Sequence, residues 1–243
     1  REYRKMRSDG RGVNKLRPVN MVIGFSETSL GSVLMEMGRT RVLCTASIED
    51  RVPPFLVGKN TGWLTAEYAM LPGSSTRRVA RETASGKVNS RSREIQRLIG
   101  RSLRTAVDLD KVGERTIYLD CDVLQADGGT RTAAITGAFV ALKVAIGKLI
   151  SEGIVAEDPI VQSVAAISVG VVDGDVLLDL CYEEDARAST DMNIVMNNRN
   201  EFIEIQGTAE SRAFSREESN EMLNIANEGI EELLQSQTRF LDG

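Results

Sequence analysis

The residues best equipped for chemistry lie in one run, Gln125-Ala126-Asp127-Gly128-Gly129-Thr130-Arg131-Thr132. Two adjacent glycines let the backbone turn sharply and bring its N–H groups to the surface. Thr130 adds a hydroxyl and Arg131 a planar guanidinium, both donors to an oxyanion. Upstream, residues 116–124 form an extended, largely apolar stretch; downstream, Ala133, Ala134, Ala138, Phe139, Leu142, Val144 and Ala145 recur at helical spacing. A helix starting at the glycines contributes partial positive charge, so strand, double glycine, Thr-Arg and helix together make a phosphate cradle. The alternative is an ordinary strand-to-helix turn. Arg131 weighs against it, because a cation in the first helical turn opposes the dipole unless an anion lies between them.

Carboxylates supply the second chemistry. Glu183, Glu184 and Asp185 are placed at the close of one strand and Asp191 at the opening of the next. Two carboxylates flanking a short loop can converge, and then hold Mg²⁺ or keep one acid protonated by mutual repulsion. A solvated acidic turn is the competing possibility. Asp120 and Asp122 alternate in the strand at 116–124 and share one side, as site residues or as structural hydrogen-bond acceptors; Asp127 is a turn former. Histidine is absent, which excludes Ser-His-Asp and Cys-His systems and His-ligated zinc. Acid–base work must fall to carboxylates, Lys, Tyr or metal-bound water.

Charge is unevenly placed. Residues 73–104 hold nine cations (Arg77, Arg78, Arg81, Lys87, Arg91, Arg93, Arg97, Arg101 and Arg104) against Glu82 and Glu94, a net of +7 that leaves −12 for the rest of a chain totalling −5. Such segregation implies a localised polyanion site rather than general nucleic-acid coating. Arg97, Arg101 and Arg104 share one face of a predicted helix, available to RNA or to acids of another subunit. Arg91 is placed just before that helix, where its guanidinium can point at a phosphate held elsewhere.

The elements that must position these groups fall into two halves. In the first, strands at 32–37 and 41–48 are joined by Gly38-Arg39, and a long loop over 49–90 carries Pro53-Pro54 and several glycines. A helix with the apolar stripe Ile95, Leu98, Ile99, Leu103, Ala106 and Val107 follows, then strand 116–124 and helix 131–150. In the second half, strands 164–172 and 176–181 turn at Asp173-Gly174, and strands 192–196 and 201–206 turn at 197–200. Ser215 and Glu218 form a capping box for a last helix that buries Met222, Leu223, Ala226, Ile230, Leu233 and Leu234. Strands then helices, twice, predicts an α/β (α+β) fold of duplicated β-then-α halves with mixed sheets and packed helices. No GxGxxG fingerprint or doubly wound alternation occurs.

At 243 residues, 42% hydrophobic and 27% charged, the chain has the composition of a soluble globular protein. No apolar run is expected to approach the ~20 residues that cross a bilayer, and no signal segment is expected, so no membrane association is predicted. Cys44, Cys121 and Cys181 stand far apart in strand-like surroundings and are expected to be buried free thiols, which predicts a cytoplasmic location. Met6 looks like a natural start, with residues 1–5 an extension ahead of it.

The segments LCTASIEDRVPPF, GWLTAEYAMLPGSSTRR, REIQRLIGRSLRTAVDL, LDCDVLQADGGTRTAAITGAFVAL, AAISVGVVDG and DMNIVM with EIQGTAE resemble the bacterial ribonuclease PH family, from about Met6 to the last helix. The resemblance implies a single ribonuclease PH-type domain, 6–243, with halves of about 6–150 and 151–243. It implies a phosphate-dependent 3′→5′ exoribonuclease (a tRNA nucleotidyltransferase) that trims precursor tRNA, releases nucleoside diphosphates and can run in reverse. It implies inorganic phosphate as co-substrate, a divalent metal such as Mg²⁺, and a homohexameric ring built as a trimer of dimers. By position, Arg91, Gly129, Thr130 and Arg131 are the phosphate-binding residues, and Asp185 and Asp191 the catalytic or metal-proximal pair. Arg78 and Arg81 match arginines for RNA contact and ring assembly, and Arg97 joins them from the basic helix. Three departures stand out: Gly73 where the family has arginine, Ser90 and Ser92 flanking Arg91, and Ser211 after the Gly-Thr-Ala-Glu run. None removes a catalytic residue. The rival readings are a catalytically silent RNA-binding ring subunit of the same fold and a hydrolytic nuclease.

Overall fold

The computed structural model describes residues 7–82 and 89–243; Met6, the extension 1–5 and Lys87 lie outside the described residues. Strands β1 (Val19–Ile23), β2 (Gly31–Met37), β3 (Thr40–Glu49), β4 (Trp63–Met70) and β5 (Thr116–Gln125) form the first sheet, in the order β1-β2-β3-β5-β4. The first three strands and β5 pair antiparallel, while β4 runs parallel to β5 with Leu64 opposite Ile117. Parallel neighbours need a crossover, and helices α1 (Ser90–Arg104) and α2 (Leu109–Val112) lie within it.

The long loop expected over 49–90 is therefore wrong in its middle, where β4 stands. Leu64, Ala66 and Tyr68 face the core at every second position, as a half-buried strand requires. Only a short 3₁₀ turn, Pro54–Leu56, interrupts the connection before it. Helix α1 buries Ile95, Leu98, Ile99 and Leu103 as its apolar stripe predicts, but it ends at Arg104, so Ala106 and Val107 are buried beyond it. Its N-cap is Asn89, whose Oδ1 accepts the Ser92 N–H at 2.7 Å. That cap starts the helix at Ser90, so Arg91 lies inside the first turn rather than ahead of the helix.

The second sheet, wholly antiparallel, runs β7 (Asp175–Leu178), β6 (Val164–Val172), β8 (Thr190–Asn197), β9 (Phe202–Ala209). The Asp173-Gly174 turn takes φ of 52° and 92°, the left-handed pair that a two-residue hairpin demands. Strand β7 stops at Leu178, short of the expected 181, and the chain continues into a single helical turn, α4 (Tyr182–Asp185). The acidic triplet thus forms a turn of helix instead of closing a strand.

Helix α3 (Thr130–Ser151) lies against β2, β3 and β5 on one side and β6 on the other, so it joins the two sheets. Fifteen of its 22 residues are buried. It comes close to β2 at Gly31, where a Cβ would run into Ala141 O, and at Gly137, where one would lie 2.8 Å from Met35 Cβ and 2.9 Å from Cys44 Sγ. With a mean hydropathy of 1.8 it is long and apolar enough to cross a bilayer, contrary to expectation, but its burial is that of a core helix. Truncating Phe139, buried on this helix, to Ala costs about 3–5 kcal/mol by the usual cavity penalty. Helix α5 (Arg216–Asp242) covers β6 and β7; its capping box is present, with Ser215 N–H donating to Glu218 and Glu218 N–H donating to Ser215 Oγ. All three cysteines are free and buried.

Candidate active site

The double glycine forms the turn that its sequence predicts. Gly128 and Gly129 adopt φ of 76° and 64°, and Gly129 is the N-cap of α3. Among the described residues no acceptor bonds the N–H of either glycine, and the helix beginning here adds its positive end. Thr130 is the first helical residue. Its hydroxyl lies 2.8 Å from Tyr68 Oη, reached from the unexpected strand β4. Burial raises the Tyr68 hydroxyl above its ordinary value, while the bond to Thr130 and the charges of Arg91 and Arg131 act the other way. Tyr68 is thus a neutral group able to orient Thr130.

Arg131 crosses to the second sheet. Its Nη1 donates to Gln206 Oε1 at 2.8 Å and lies 3.5 Å from Glu94 Oε1 of α1, while Gln206 Nε2 donates to that same Glu94 oxygen at 2.6 Å. Three elements, α1, α3 and β9, therefore meet around this guanidinium.

The acidic triplet divides its work. Glu183 faces solvent. Glu184 turns inward, paired with Arg7 at 2.6 Å and accepting the Cys181 N–H at 3.0 Å. Burial pushes its carboxyl up, but Arg7 and the Cys181 N–H outweigh that and hold it below the ordinary value. Asp185 is exposed, yet burial of its carboxyl by surrounding protein raises it, with Arg91 and Arg131 pulling it back and Glu210 adding to the rise. Asp191, second residue of β8, is raised by burial, then by Asp185 and Glu210, with Arg131 in opposition. Arg91, Arg131, Asp185 and Asp191 thus form one electrostatic cluster drawn from α1, α3, α4 and β8.

Not all expected residues join it. Arg78 and Arg81 are exposed in the segment after β4, and Arg97 is exposed on α1, where with Ser90, Arg93, Glu94 and Arg101 it lines a groove of about 480 Å³. Arg101 is occupied by Glu204 of β9 at 2.8 Å, and Arg104 donates to Leu64 O at 3.0 Å and covers the Trp63 ring. Asp120 and Asp122 do share a side, the open face of the first sheet, where burial raises both and Glu67 adds to Asp120. Asp127 does more than turn the chain, since its Oδ1 accepts the Tyr182 N–H at 3.4 Å. Sequence reasoning misses Tyr68, Glu94, Gln206 and Glu210. Their only sequence signal is membership of the strand and motif runs around them.

A model of the 3′ exoribonuclease family matches in both parts, domain 1 over residues 15–146 and domain 2 over 162–229. The chain is 55% identical to ribonuclease PH of Corynebacterium kroppenstedtii over 97% of its length and 93% of that protein. It is 54% identical to ribonuclease PH of Bacillus subtilis, covering 97% of each chain, and 56% identical to that of Neisseria meningitidis over 95% of this chain and 96% of that one. Among solved structures, rice (Oryza sativa) Rrp46 superposes with a TM-score of 0.79 at 19% identity, covering 97% of this chain and 100% of that one. The Archaeoglobus fulgidus exosome with RNA bound to the active site gives 0.79 at 21%, covering 95% and 92%. At such identities these two speak for the fold alone. With family models across both sheets and relatives above half identity over nearly the whole length, the chain belongs to the ribonuclease PH family of 3′ exoribonucleases.

Proposed function

We propose that this chain is a phosphorolytic 3′→5′ exoribonuclease, a tRNA nucleotidyltransferase that shortens 3′ extensions of precursor tRNA with inorganic phosphate. It releases nucleoside diphosphates, and in reverse it adds nucleotides from them. The observation that carries this reading is the pair of left-handed glycines opening α3, whose N–H groups have no acceptor among the described residues, with Thr130 and Arg131 following and Asp185 and Asp191 near enough to Arg131 to feel its charge. Relatives named ribonuclease PH at 54–57% identity support the same activity.

In this reading phosphate is held by Arg91, the Gly129 N–H, the Thr130 hydroxyl and Arg131. One of its oxygens attacks the terminal phosphodiester phosphorus in line, and the bond from phosphorus to the 3′ oxygen breaks. The nucleotide leaves as a diphosphate whose outer phosphoryl is the former inorganic phosphate. Arg91 and Arg131 neutralise charge that grows on the non-bridging oxygens. The leaving 3′ oxygen needs a proton, and the chain has no histidine to give one. Asp191 suits that role, because burial, then Asp185 and Glu210 beside it, favour its protonated form against the pull of Arg131; Asp185 is raised by burial too, but with both Arg91 and Arg131 opposing. In their ionised forms the two carboxylates would hold Mg²⁺, which binds through one or two acids and takes other ligands from water and phosphate. A cage of three or more protein ligands is not found among the described residues. Bound there, the ion would screen charge on the phosphodiester oxygens.

The catalytically silent alternative would lack the phosphate arginine or the aspartates, and this chain keeps Arg91, Arg131, Asp185 and Asp191. The halves, about 6–150 and 151–243, serve as one domain, since the proposed site draws its arginines from the first and its acids from the second. Precursor tRNA and other RNA 3′ ends, ribosomal RNA among them, approach along the basic groove of Arg97. Exposed Arg78 and Arg81 serve RNA contact or assembly of a homohexameric trimer of dimers. Three buried free thiols fit a reducing cytoplasm. The test is a 3′-extended tRNA incubated with and without phosphate. Diphosphates released only with phosphate support the reading; monophosphates released at full rate without it contradict it.

A further inference from the structure

The phosphate loop is fastened from behind by three buried side chains outside the cluster described above. Arg17 is 4% exposed, Asp179 1% and Thr40 0%. Arg17 Nη1 donates to Asp127 O at 2.5 Å, and its Nη2 reaches Gly128 O at 3.4 Å. The same guanidinium grips Asp179, Nε to Oδ2 at 3.0 Å and Nη2 to Oδ1 at 2.7 Å, and Arg17 N–H donates to Oδ2 at 2.8 Å. Thr40 Oγ1 donates to Gly128 O at 2.7 Å and accepts the Asp127 N–H at 3.0 Å.

These bonds fix the direction of two peptides. In a trans peptide the C=O and the following N–H point opposite ways, and no cis bond occurs among the described residues. Drawing the Asp127 and Gly128 carbonyls back onto Arg17 and Thr40 turns the Gly128 and Gly129 N–H groups outward, where α3 begins. Neither N–H meets an acceptor on the described residues. Left-handed glycines permit many peptide orientations; the fastening selects one. The same contacts hold the acid-bearing turn. Asp179 precedes α4 by three residues, and a Cβ on Gly128 would meet Leu180 O at 2.5 Å and Tyr182 N at 2.9 Å, so loop and turn touch backbone to backbone.

We infer that Thr40, Arg17 and Asp179 are positioning residues that aim the phosphate-loop N–H groups at the incoming phosphate and keep that loop in register with the turn carrying Asp185. The inference rests on the phosphate reading above. A purely structural role would lower the amount of folded enzyme and leave the phosphate KM alone; a positioning role moves that KM.

The experiment is a phosphate titration of diphosphate release from a short 3′-extended RNA by wild type, Thr40→Val, Thr40→Ser, Arg17→Lys and Arg131→Ala, each also melted thermally. Thr40→Val keeps the shape and removes the hydroxyl bonds to Gly128 O and the Asp127 N–H, together with the long one from Arg17 Nη1 at 3.5 Å. Its phosphate KM should rise at least about fivefold, the order expected when a hydrogen bond orienting the site is lost. Its RNA KM should stay within about twofold, and Thr40→Ser, which keeps the hydroxyl, should restore the phosphate KM. Arg17→Lys keeps the charge beside Asp179 but loses the fork that also reaches Asp127, and it should raise the phosphate KM as well. An unchanged phosphate KM in Thr40→Val and Arg17→Lys, beside a raised one in Arg131→Ala, overturns the positioning role while the phosphate site stands. No change in all three overturns both.

Discussion

Replacing Arg131 by Ala removes a guanidinium that reaches from the start of α3 to Gln206 of the second sheet. A hydrogen bond to a charged group is worth about 1.5–3 kcal/mol, or roughly 10- to 150-fold in apparent phosphate affinity. The free protein already satisfies part of this guanidinium, since Nη1 donates to Gln206 at 2.8 Å and Glu94 lies 3.5 Å away. Phosphate must share or displace those contacts, which places the expected loss nearer the lower end, about 10- to 30-fold. Glu94, left without its cation, adds repulsion that is weakened by solvent because its side chain is 52% exposed. The assay is initial-rate diphosphate release against phosphate concentration at saturating RNA. The phosphate KM should rise by that factor, with part of the activity returning at high phosphate. An unchanged phosphate KM would refute the assignment of Arg131 to the anion.

Asp185→Asn and Asp191→Asn should each nearly abolish turnover while RNA affinity holds or rises slightly; wild-type turnover at saturating RNA in either variant would make that residue a solvated acid. Both carboxyls are raised in the folded state, so their stabilising contribution is full below the unfolded value of about 3.9 and is lost as pH rises through the folded value. The Asn variants should therefore melt higher than wild type at neutral pH and lose that advantage in acid, and a lower neutral melting temperature would count against the buried-charge argument. Tyr68→Phe removes the hydroxyl beside Thr130 and should raise the phosphate KM by about three- to tenfold; no change would leave Tyr68 with packing alone. Charge reversal at Arg78 and Arg81 should weaken tRNA trimming more than trimming of short oligonucleotides, flatten the salt dependence of RNA binding and reduce the assembly seen by sedimentation. A wild type that sediments as a monomer with full tRNA activity would contradict the assembly reading.

Local signals made much of the architecture legible. Gly38, Asp173-Gly174 and the Ser215–Glu218 box each specify a turn or cap through nearby atoms, and each forms. The turn proposed as the cradle was legible for the same reason, because double glycine, Thr130 and Arg131 lie within one turn. Strand β4 was hidden by the prolines and glycines around it, although Leu64, Ala66 and Tyr68 alternate; its parallel partner β5 lies some fifty residues on. Glu184 could not be told from Asp185 by spacing, since what turns it inward is Arg7, 177 residues away in sequence. The nearness of Arg91 to Asp185 has no signal in the residue pattern, since the two lie on separate elements far apart in sequence. The fastening by Arg17, Thr40 and Asp179 carries no local signature, because its contacts to the loop and to Asp179 span 87 to 162 positions.

The central claim is that inorganic phosphate is the nucleophile. The measurement that tests it most directly follows isotopically labelled inorganic phosphate into the products of a 3′-extended tRNA. The account predicts label in the outer phosphoryl of the released nucleoside diphosphates, one label for each nucleotide removed. Monophosphates released while the label stays inorganic would contradict it.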